Sequence, residues 1–442
     1  MDKRSRLIPL IQCLLVAALM LGSIAVPAFS QGLSGLDRER ARRILELVIS
    51  DLKKNYYDSS FRGINLDERF KAADEKIRSA TSLGQVVGII AQVMLDLNDS
   101  HVYFIPPMQT TTADYGWQMQ IIGDKCYVIA VKPGSDAEAK GLKPGDEIWS
   151  IDGIEPTKDN LWKLIYLYYT LRPRAGMRLV LQDPNGQQRE MEVMAKLHQR
   201  LSHIDFLREY NDLIREAEDA ERFNRHRYVE IGEDLIIWKM PRFDLDEAGV
   251  DEMMRKVKNR KAFILDLRGN GGGAVVTLER LAGHLFDHDV KIADRKGRKE
   301  MKPMVAKTRG SDRIFTGKLI IIVDSRSGSA SEVLARTIQI EKRGTVIGDR
   351  TMGAVMESRL YPHETGAGST IFFATSVTDA NLIMADGKSL ENVGVIPDEL
   401  LLPARADLAA GRDPVMSRAA QLVGVKITPE QAGAMFPIEW RK

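Results

Sequence analysis

The serines at 329 and 331 are the residues of this chain best suited to nucleophilic chemistry. They follow the apolar run Leu319–Val323 and a short polar turn, a pattern that predicts a buried strand, a loop and a helix beginning at Ser329. The first N–H groups of a helix lack internal acceptors, so they can bind an oxyanion beside an exposed serine. Ser329 is the preferred nucleophile because Ala330 would then supply the adjacent N–H, and Ser331 is its rival.

The segment Ser329-Ala330-Ser331-Glu332 also fits a purely structural pattern. Ser-x-x-Glu before an amphipathic run is a capping box, in which Ser329 would be the N-cap and Glu332 would reach back to it. The segment alone does not separate the cap from the nucleophile, so other parts of the chain must decide.

A glycine cluster follows a second apolar run, Phe263–Leu267. The cluster within Asp266–Gly273 lets the backbone turn sharply and present N–H groups to a ligand. The spacing Gly269-x-Gly271-x-x-Ala274 also satisfies the dinucleotide fingerprint. That interpretation requires an acid at the end of the next strand. Asp287 and Asp289 lie at about the right distance, but in a His-Asp-rich loop rather than after an apolar strand. A plain structural turn is the third possibility.

Residues 1–30 are predicted to be an export signal, with a basic start, an apolar stretch and Ala28-Phe29-Ser30 as the cleavage site. An uncleaved anchor formed by residues 7–26 is the alternative, and it would associate the protein with a membrane. After cleavage only Cys126 remains, which excludes an internal disulfide. Basic and acidic residues then balance, which argues against a nucleic-acid partner. The histidines show no metal-ligand spacing, so neither a metal nor another cofactor is expected.

The hydrophobic pattern divides the remaining chain into units and predicts a multidomain α/β (α+β) protein. A helical cap is expected over 31–111, a β-rich module over 112–198 and a charged linking helix over 199–226. Strands and helices alternate over 227–405, which predicts a layered, largely parallel α/β core. The tail, 406–442, is expected to form one helix and a loop.

The β-rich module resembles a PDZ domain through the run from Ala137 to Ile148. PDZ domains bind extended C-terminal peptides by adding them to the edge of a sheet. The resemblance places the peptide-binding loop at Tyr115, Gly116, Trp117 and Gln118, although this loop departs from the usual small-apolar pattern. A β-rich spacer without a ligand is the alternative.

Four motifs in order resemble the S41-type serine peptidases, the family of C-terminal processing proteases and tricorn cores. They are the glycine run, Ser329–Glu332, Gly348-x-x-Thr351-x-Gly353 and Glu391-x-x-Gly394-Val395-x-Pro397-Asp398. The resemblance implies a serine-peptidase core over 227–405. It also implies an exported, periplasmic or extracellular endopeptidase that acts on protein or peptide substrates with free or unstructured C-termini.

One departure from the Ser-Lys branch of this family bears on the chemistry. Ala354 stands 25 residues beyond Ser329, where that branch has its lysine, and Ser358 replaces the expected glutamine. The tricorn-like branch implies a different base, His101, oriented by Ser100 and Glu391.

The same family resemblance implies that the N–H groups of Gly272 and Ala330 bind the oxyanion. Two alternatives stay open for the chain as a whole. One is a catalytically inactive peptide-binding scaffold that keeps the PDZ-like module. The other is an apolar-ligand carrier, because retinoid-binding repeats resemble the same core.

Overall fold

A computed structural model describes residues 33–107, 111–199, 225–365 and 371–440. The predicted signal or anchor lies outside these ranges, as does nearly all of the predicted linking helix. Within the four ranges, every helix is too short or too polar to cross a bilayer.

Three helices form the N-terminal region: α1 (Gly35–Asn55), α2 (Leu66–Ser79) and α3 (Leu83–Leu95). Helix α1 begins after Ser34, whose side chain accepts a hydrogen bond from the Asp37 N–H. Its apolar residues recur at helical spacing and are buried against the other two helices. Strand β1 (Tyr103–Ile105) follows and pairs with the C-terminal half of the chain, Tyr103 opposite Ser376. This pairing brings the segment just before β1 onto the core.

The next region is rich in short strands. They are β2 (Thr111–Asp114), β3 (Trp117–Ile122), β4 (Lys125–Val131), β5 (Glu147–Ile151), β6 (Gly176–Gln182), β7 (Gln188–Met194) and β8 (Lys196–Gln199). Strands β3 to β7 form one antiparallel sheet in chain order, so β3 is an edge strand, while β2 pairs with β8. Two short helices, α4 (Asp136–Ala139) and α5 (Leu161–Ile165), and a π-helical turn (Tyr166–Leu171) accompany the sheet. Alternate residues of β3 are buried in one apolar core with α5.

Two sheets and three helices form the C-terminal half up to residue 400. The strands are β9 (Arg227–Ile231), β10 (Leu235–Lys239), β11 (Ala262–Asp266), β12 (Val290–Lys296), β13 (Met304–Ala306), β14 (Lys318–Val323), β15 (Thr345–Gly348), β16 (Met356–Thr365), β17 (Ile371–Met384) and β18 (Glu399–Leu400). The helices are α6 (Glu247–Val257), α7 (Val275–Gly283) and α8 (Ala330–Ile340). The first sheet has the order β18-β15-β14-β11-β10-β9, and all of it except β9 is parallel.

The parallel order places two loops side by side. Strands β11 and β14 are neighbours, so the glycine loop after β11 and the serine loop after β14 leave the same edge of the sheet. The second sheet has the order β1-β17-β12-β13, with β16 paired to β17. Strand β1 therefore attaches the N-terminal region to the core.

The tail differs from the expectation of one helix and a loop, which is wrong. It contains three helices, α9 (Arg405–Ala410), α10 (Pro414–Leu422) and α11 (Pro429–Met435). Gly411 ends α9 in the left-handed conformation, and proline opens each of the next two helices. Helix α10 packs its apolar side on the face of the parallel sheet opposite α6, α7 and α8. Both faces are thus covered, which explains why these strands are uniformly apolar.

Candidate active site

Ser329 occupies the turn between β14 and α8 in a strained conformation. Its φ of 53° and ψ of −119° are unusual for a residue with a side chain, and such strain costs about 1–3 kcal/mol. The Ser329 N–H donates to Ala354 O over 2.9 Å and to Glu332 Oε2 over 3.0 Å. The rival Ser331 is buried, and its hydroxyl donates to Asn270 O over 2.8 Å. Only the hydroxyl of Ser329 is therefore placed to meet a substrate.

The Glu332 carboxylate does more than cap a helix. It is buried and accepts hydrogen bonds from the Ser329 N–H, from Thr351 Oγ1 at 2.5 Å, and from the N–H groups of Gly353 and Ala354 at 2.7 and 2.9 Å. Burial raises the pKa of Glu332 to about 7. These bonds join the serine turn to the segment 351–354, so Glu332 supports the conformation of Ser329.

His101 lies beside Ser329 although 228 residues separate them in the chain. Its Nε2 is 3.4 Å from Ser329 Oγ, a long contact but within reach of a hydrogen bond. Its Nδ1 is 2.8 Å from Ser100 Oγ. The Ser100 hydroxyl and N–H donate to Glu391 over 2.8 and 3.0 Å. The structure thus brings together all four residues that the family resemblance named.

The hydrogen-bond directions determine the tautomer of His101. An ionised Glu391 accepts the single proton of the Ser100 hydroxyl, and Ser100 Oγ then accepts from His101 Nδ1–H. The lone pair of Nε2 then faces Ser329. Burial lowers the pKa of His101, which keeps the ring neutral at neutral pH. Burial also raises the pKa of Glu391, opposed by its N–H donors from Ser100 and Val355.

Asp99 positions the histidine from the main-chain side. Its buried carboxylate accepts from the His101 N–H at 3.0 Å, from the Tyr56 hydroxyl at 3.0 Å and from Thr378 Oγ1 at 2.7 Å, and it pairs with Arg62 at 3.5 Å. Sequence reasoning missed this role. The polar run Asn98–His101 marks the end of the N-terminal helical region in the sequence. The distant partners of Asp99, which are Tyr56, Arg62 and Thr378, cannot be read from that run.

The two N–H groups predicted to bind the oxyanion differ in whether they are already hydrogen-bonded. The N–H of Ala330 begins α8 and has no acceptor among the described residues. The N–H of Gly272 donates to Asn270 Oδ1 over 2.8 Å, so it is engaged, contrary to the expectation of a free donor there. Asn270 is itself held by a bond from its Nδ2 to Met240 O at 2.9 Å. A Cβ on Gly272 would lie 2.6 Å from Ser329 Cβ, so the two loops touch.

Position 354 contributes only its main chain. The Ala354 N–H donates to Glu332 and its carbonyl accepts from Ser329. The methyl side chain has no proton-accepting atom, so the lysine of a Ser-Lys dyad has no substitute at this position. Within the described ranges, no cluster of histidine, cysteine or acidic side chains could hold a metal ion.

The predicted peptide-binding loop presents few side chains outward. Tyr115 and Trp117 are buried in the core of the β-rich region. Gly116 has a φ of 72°, and a Cβ there would lie 2.4 Å from Ser135 Cβ. Gln118 lines a cavity between this region and the core. The assignment of the loop to a ligand stays a prediction.

This chain is similar to one protein-family model and to known proteases. The model of peptidase family S41 matches residues 235–401. A tail-specific protease of Haemophilus influenzae is 23% identical over 313 residues, 66% of this chain and 42% of the relative, so this chain spans less than half of that protein. A carboxyl-terminal-processing protease of Synechocystis is 23% identical over 380 residues, 79% of this chain and 78% of the relative.

The fold also has a counterpart among solved structures. Mature CPAF aligns with a TM-score of 0.63 at 14% identity, over 85% of this chain and 95% of that chain, which indicates a shared fold. The matched segment, 235–401, contains both loops of the site and Glu391. Over residues 235–401 this chain is therefore similar to peptidase family S41, and the two relatives are proteases by name.

Proposed function

We propose that the protein is an exported serine endopeptidase that cleaves unstructured or C-terminal segments of proteins through an acyl-enzyme. The observation that carries this proposal is the continuous line of contacts from Ser329 Oγ to His101, Ser100 and Glu391, at 3.4, 2.8 and 2.8 Å. A serine, a neutral histidine and an orienting third group are what nucleophilic catalysis by a hydroxyl requires.

In the proposed first step, Ser329 Oγ attacks the peptide carbonyl carbon while His101 Nε2 takes the hydroxyl proton. The imidazolium formed keeps its Nδ1–H on Ser100, and the Glu391 carboxylate stabilises the positive charge through that hydroxyl. His101 then gives the proton to the leaving amine, and the acyl-enzyme remains. A water molecule, deprotonated by His101, attacks the ester and releases Ser329.

The oxyanion would bind the Ala330 N–H first. The Gly272 N–H can join it only by leaving Asn270 Oδ1 or by sharing its hydrogen between the two acceptors. A single donor of this kind is typically worth roughly 10²–10³ in rate, so the state of the Gly272 N–H matters for activity.

The proposed substrate class follows from the relatives and from the β-rich region. The relatives' names describe tail-specific and carboxyl-terminal-processing proteases. Strand β3 is an edge strand, and an extended polypeptide can pair with such an edge. We extend the same preference to this chain, and export rests on the predicted signal of residues 1–30.

The proposal is tested with a fluorophosphonate probe and with turnover of an unfolded protein. The unmodified enzyme should be labelled, and Ser329→Ala should abolish both labelling and turnover. His101→Ala should reduce both by roughly 10²–10⁴. Ser331→Ala, the matched control two residues away, should still be labelled. Absence of labelling in the unmodified enzyme would refute the proposal and favour a peptide-binding scaffold.

A further inference from the structure

A large cavity separates the β-rich region from the core, with a volume of about 1000 Å³. Its floor is formed at the carboxyl ends of β10, β11, β14 and β15, the edge at which open α/β sheets bind ligands. One wall is the face of β3 and β4 that carries Gln118, Gln120 and Ile129. The opposite wall comes from the tail, including residues 408–413 and 436–440.

Five basic and five acidic side chains line this cavity, and all the basic ones except Arg326 pair with a carboxylate. The pairs are Lys239 with Asp266, Arg268 with Asp266 and Asp413, Arg227 with Glu439, and Arg412 with Asp407. Arg326 is the exception, since no carboxylate oxygen of the described residues lies within 4.0 Å of its guanidinium.

The Arg326 side chain is held in place without an acceptor. Its Nε is buried and makes no hydrogen bond. The guanidinium lies against Gly269, where a Cβ would be 3.3 Å from Nη2. Two carboxylates of the lining pair with no basic residue of the described chain, and both bind neutral donors instead. Asp324 accepts from Gln120 Nε2 at 2.8 Å and from the Gly269 N–H at 2.9 Å. Asp349 accepts from the Gly123 N–H at 2.8 Å. The site thus offers an unpaired cation with partly desolvated donors, which a carboxylate would satisfy with two parallel hydrogen bonds.

Apolar side chains line the cavity beside this cation. Ile129, Val131, Leu401 and Phe436 are half-buried, and Ile438 is 46% exposed. An apolar wall next to one unpaired guanidinium matches a carboxylate that ends an apolar chain. The Gln118 amide and the edge strand β3 could also bond to peptide groups, which a fatty acid lacks.

We propose that Arg326 binds the C-terminal carboxylate of an extended apolar polypeptide segment lying in this cavity. Arg326 itself lies outside the predicted loop 115–118, of which only Gln118 lines the cavity, and its role in processing rests on the proposed function. Arg326 and Ser329 are three residues apart, so their Cα atoms lie within about 11 Å of each other. An anchored chain end is therefore held near the nucleophile loop.

The test measures binding without turnover, in a Ser329→Ala background. A fluorescent peptide with apolar C-terminal residues and a free carboxylate is compared by anisotropy with the same peptide as its amide. The carboxylate form should bind at least tenfold more tightly. Arg326→Gln should reduce its affinity to that of the amide, and Arg326→Lys should be intermediate. Arg313→Gln, an exposed arginine outside the cavity, should leave binding unchanged.

Several results would overturn the anchor. One is equal affinity for the carboxylate and amide peptides. A second is an Arg326→Gln variant that binds the carboxylate peptide as tightly as its parent does. A third is a loss of affinity in Arg313→Gln as large as that in Arg326→Gln. Tighter binding of palmitate than of the peptide would replace the polypeptide with a lipid. If Arg326→Gln does not fold, two measurements still test the anchor. They are the difference in affinity between the carboxylate and amide peptides in the Ser329→Ala protein, and the same difference in its Arg326→Lys variant.

The same experiment separates this proposal from the peptidase proposal. Binding that depends on Arg326 in a protein without any hydrolase activity would refute only the peptidase. Hydrolysis that is indifferent both to Arg326 and to amidation of the substrate would refute only the anchor.

Discussion

Replacing Glu332 by glutamine probes how the structure holds its nucleophile. The carboxylate of Glu332 accepts two hydrogen bonds on each oxygen, from Ser329 and Ala354 on one and from Thr351 and Gly353 on the other. A glutamine keeps only one accepting oxygen, and its NH₂ group faces two donors. Ser329 or its supporting turn therefore loses its acceptor, and we expect turnover to fall by at least tenfold.

The free energy of unfolding of the unmodified protein should fall as the pH rises, because of the same carboxyl group. The pKa of Glu332 is raised to about 7 in the folded protein from an ordinary value of 4.5. A carboxyl with a raised folded pKa favours folding below its unfolded pKa, and this contribution is lost as the pH rises through about 7. At 1.36 kcal/mol per pH unit, the change between pH 5 and 8 is about 2.5 kcal/mol. Glutamine does not titrate, so Glu332→Gln should lack this dependence.

Urea unfolding of both proteins at several pH values, together with turnover assays, tests this reasoning. The stability of the unmodified protein relative to Glu332→Gln should fall by about 2.5 kcal/mol between pH 5 and 8. The parent's turnover should also decline below about pH 7, as Glu332 takes up a proton. His101 has a lowered pKa and does not produce that limb. Parallel stability curves with unchanged turnover would refute a supporting role for Glu332.

Three further substitutions test the rest of the site. Ser100→Ala removes the link between His101 and Glu391, and kcat should fall by roughly 10²–10⁴ with KM little changed; an unchanged kcat would contradict the proposed relay. Gly272→Ala places a Cβ 2.6 Å from Ser329 Cβ and should reduce turnover at least a hundredfold, whereas Gly271→Ala, whose Cβ meets nothing within 4 Å, should not. Asp99→Asn should lower the free energy of unfolding by about 2 kcal/mol in urea titrations. A loss no larger than that of the exposed control Asp312→Asn would argue against its role.

Local sequence was sufficient for the elements that carry their own signals. The uniformly apolar runs before Asp266 and Asp324 are buried parallel strands, as their composition indicated, because a strand covered on both faces must be apolar throughout. Ser329 stands where an apolar run gives way to an amphipathic helix, so the strand-to-helix junction was visible in the residues. The three tail helices also carry local signals, since proline starts two of them and glycine ends one.

The tertiary structure alone decided how distant residues meet. Pairing of β1 with β17 carries His101 to Ser329, and no local period encodes a pairing across more than two hundred residues. The same packing gave Asp99 its partners and engaged the Gly272 N–H with Asn270. Residue types and short-range periodicity therefore determined which groups could react and which segments form helices or strands. The burial of long-range surfaces against one another determined which of those groups share a site.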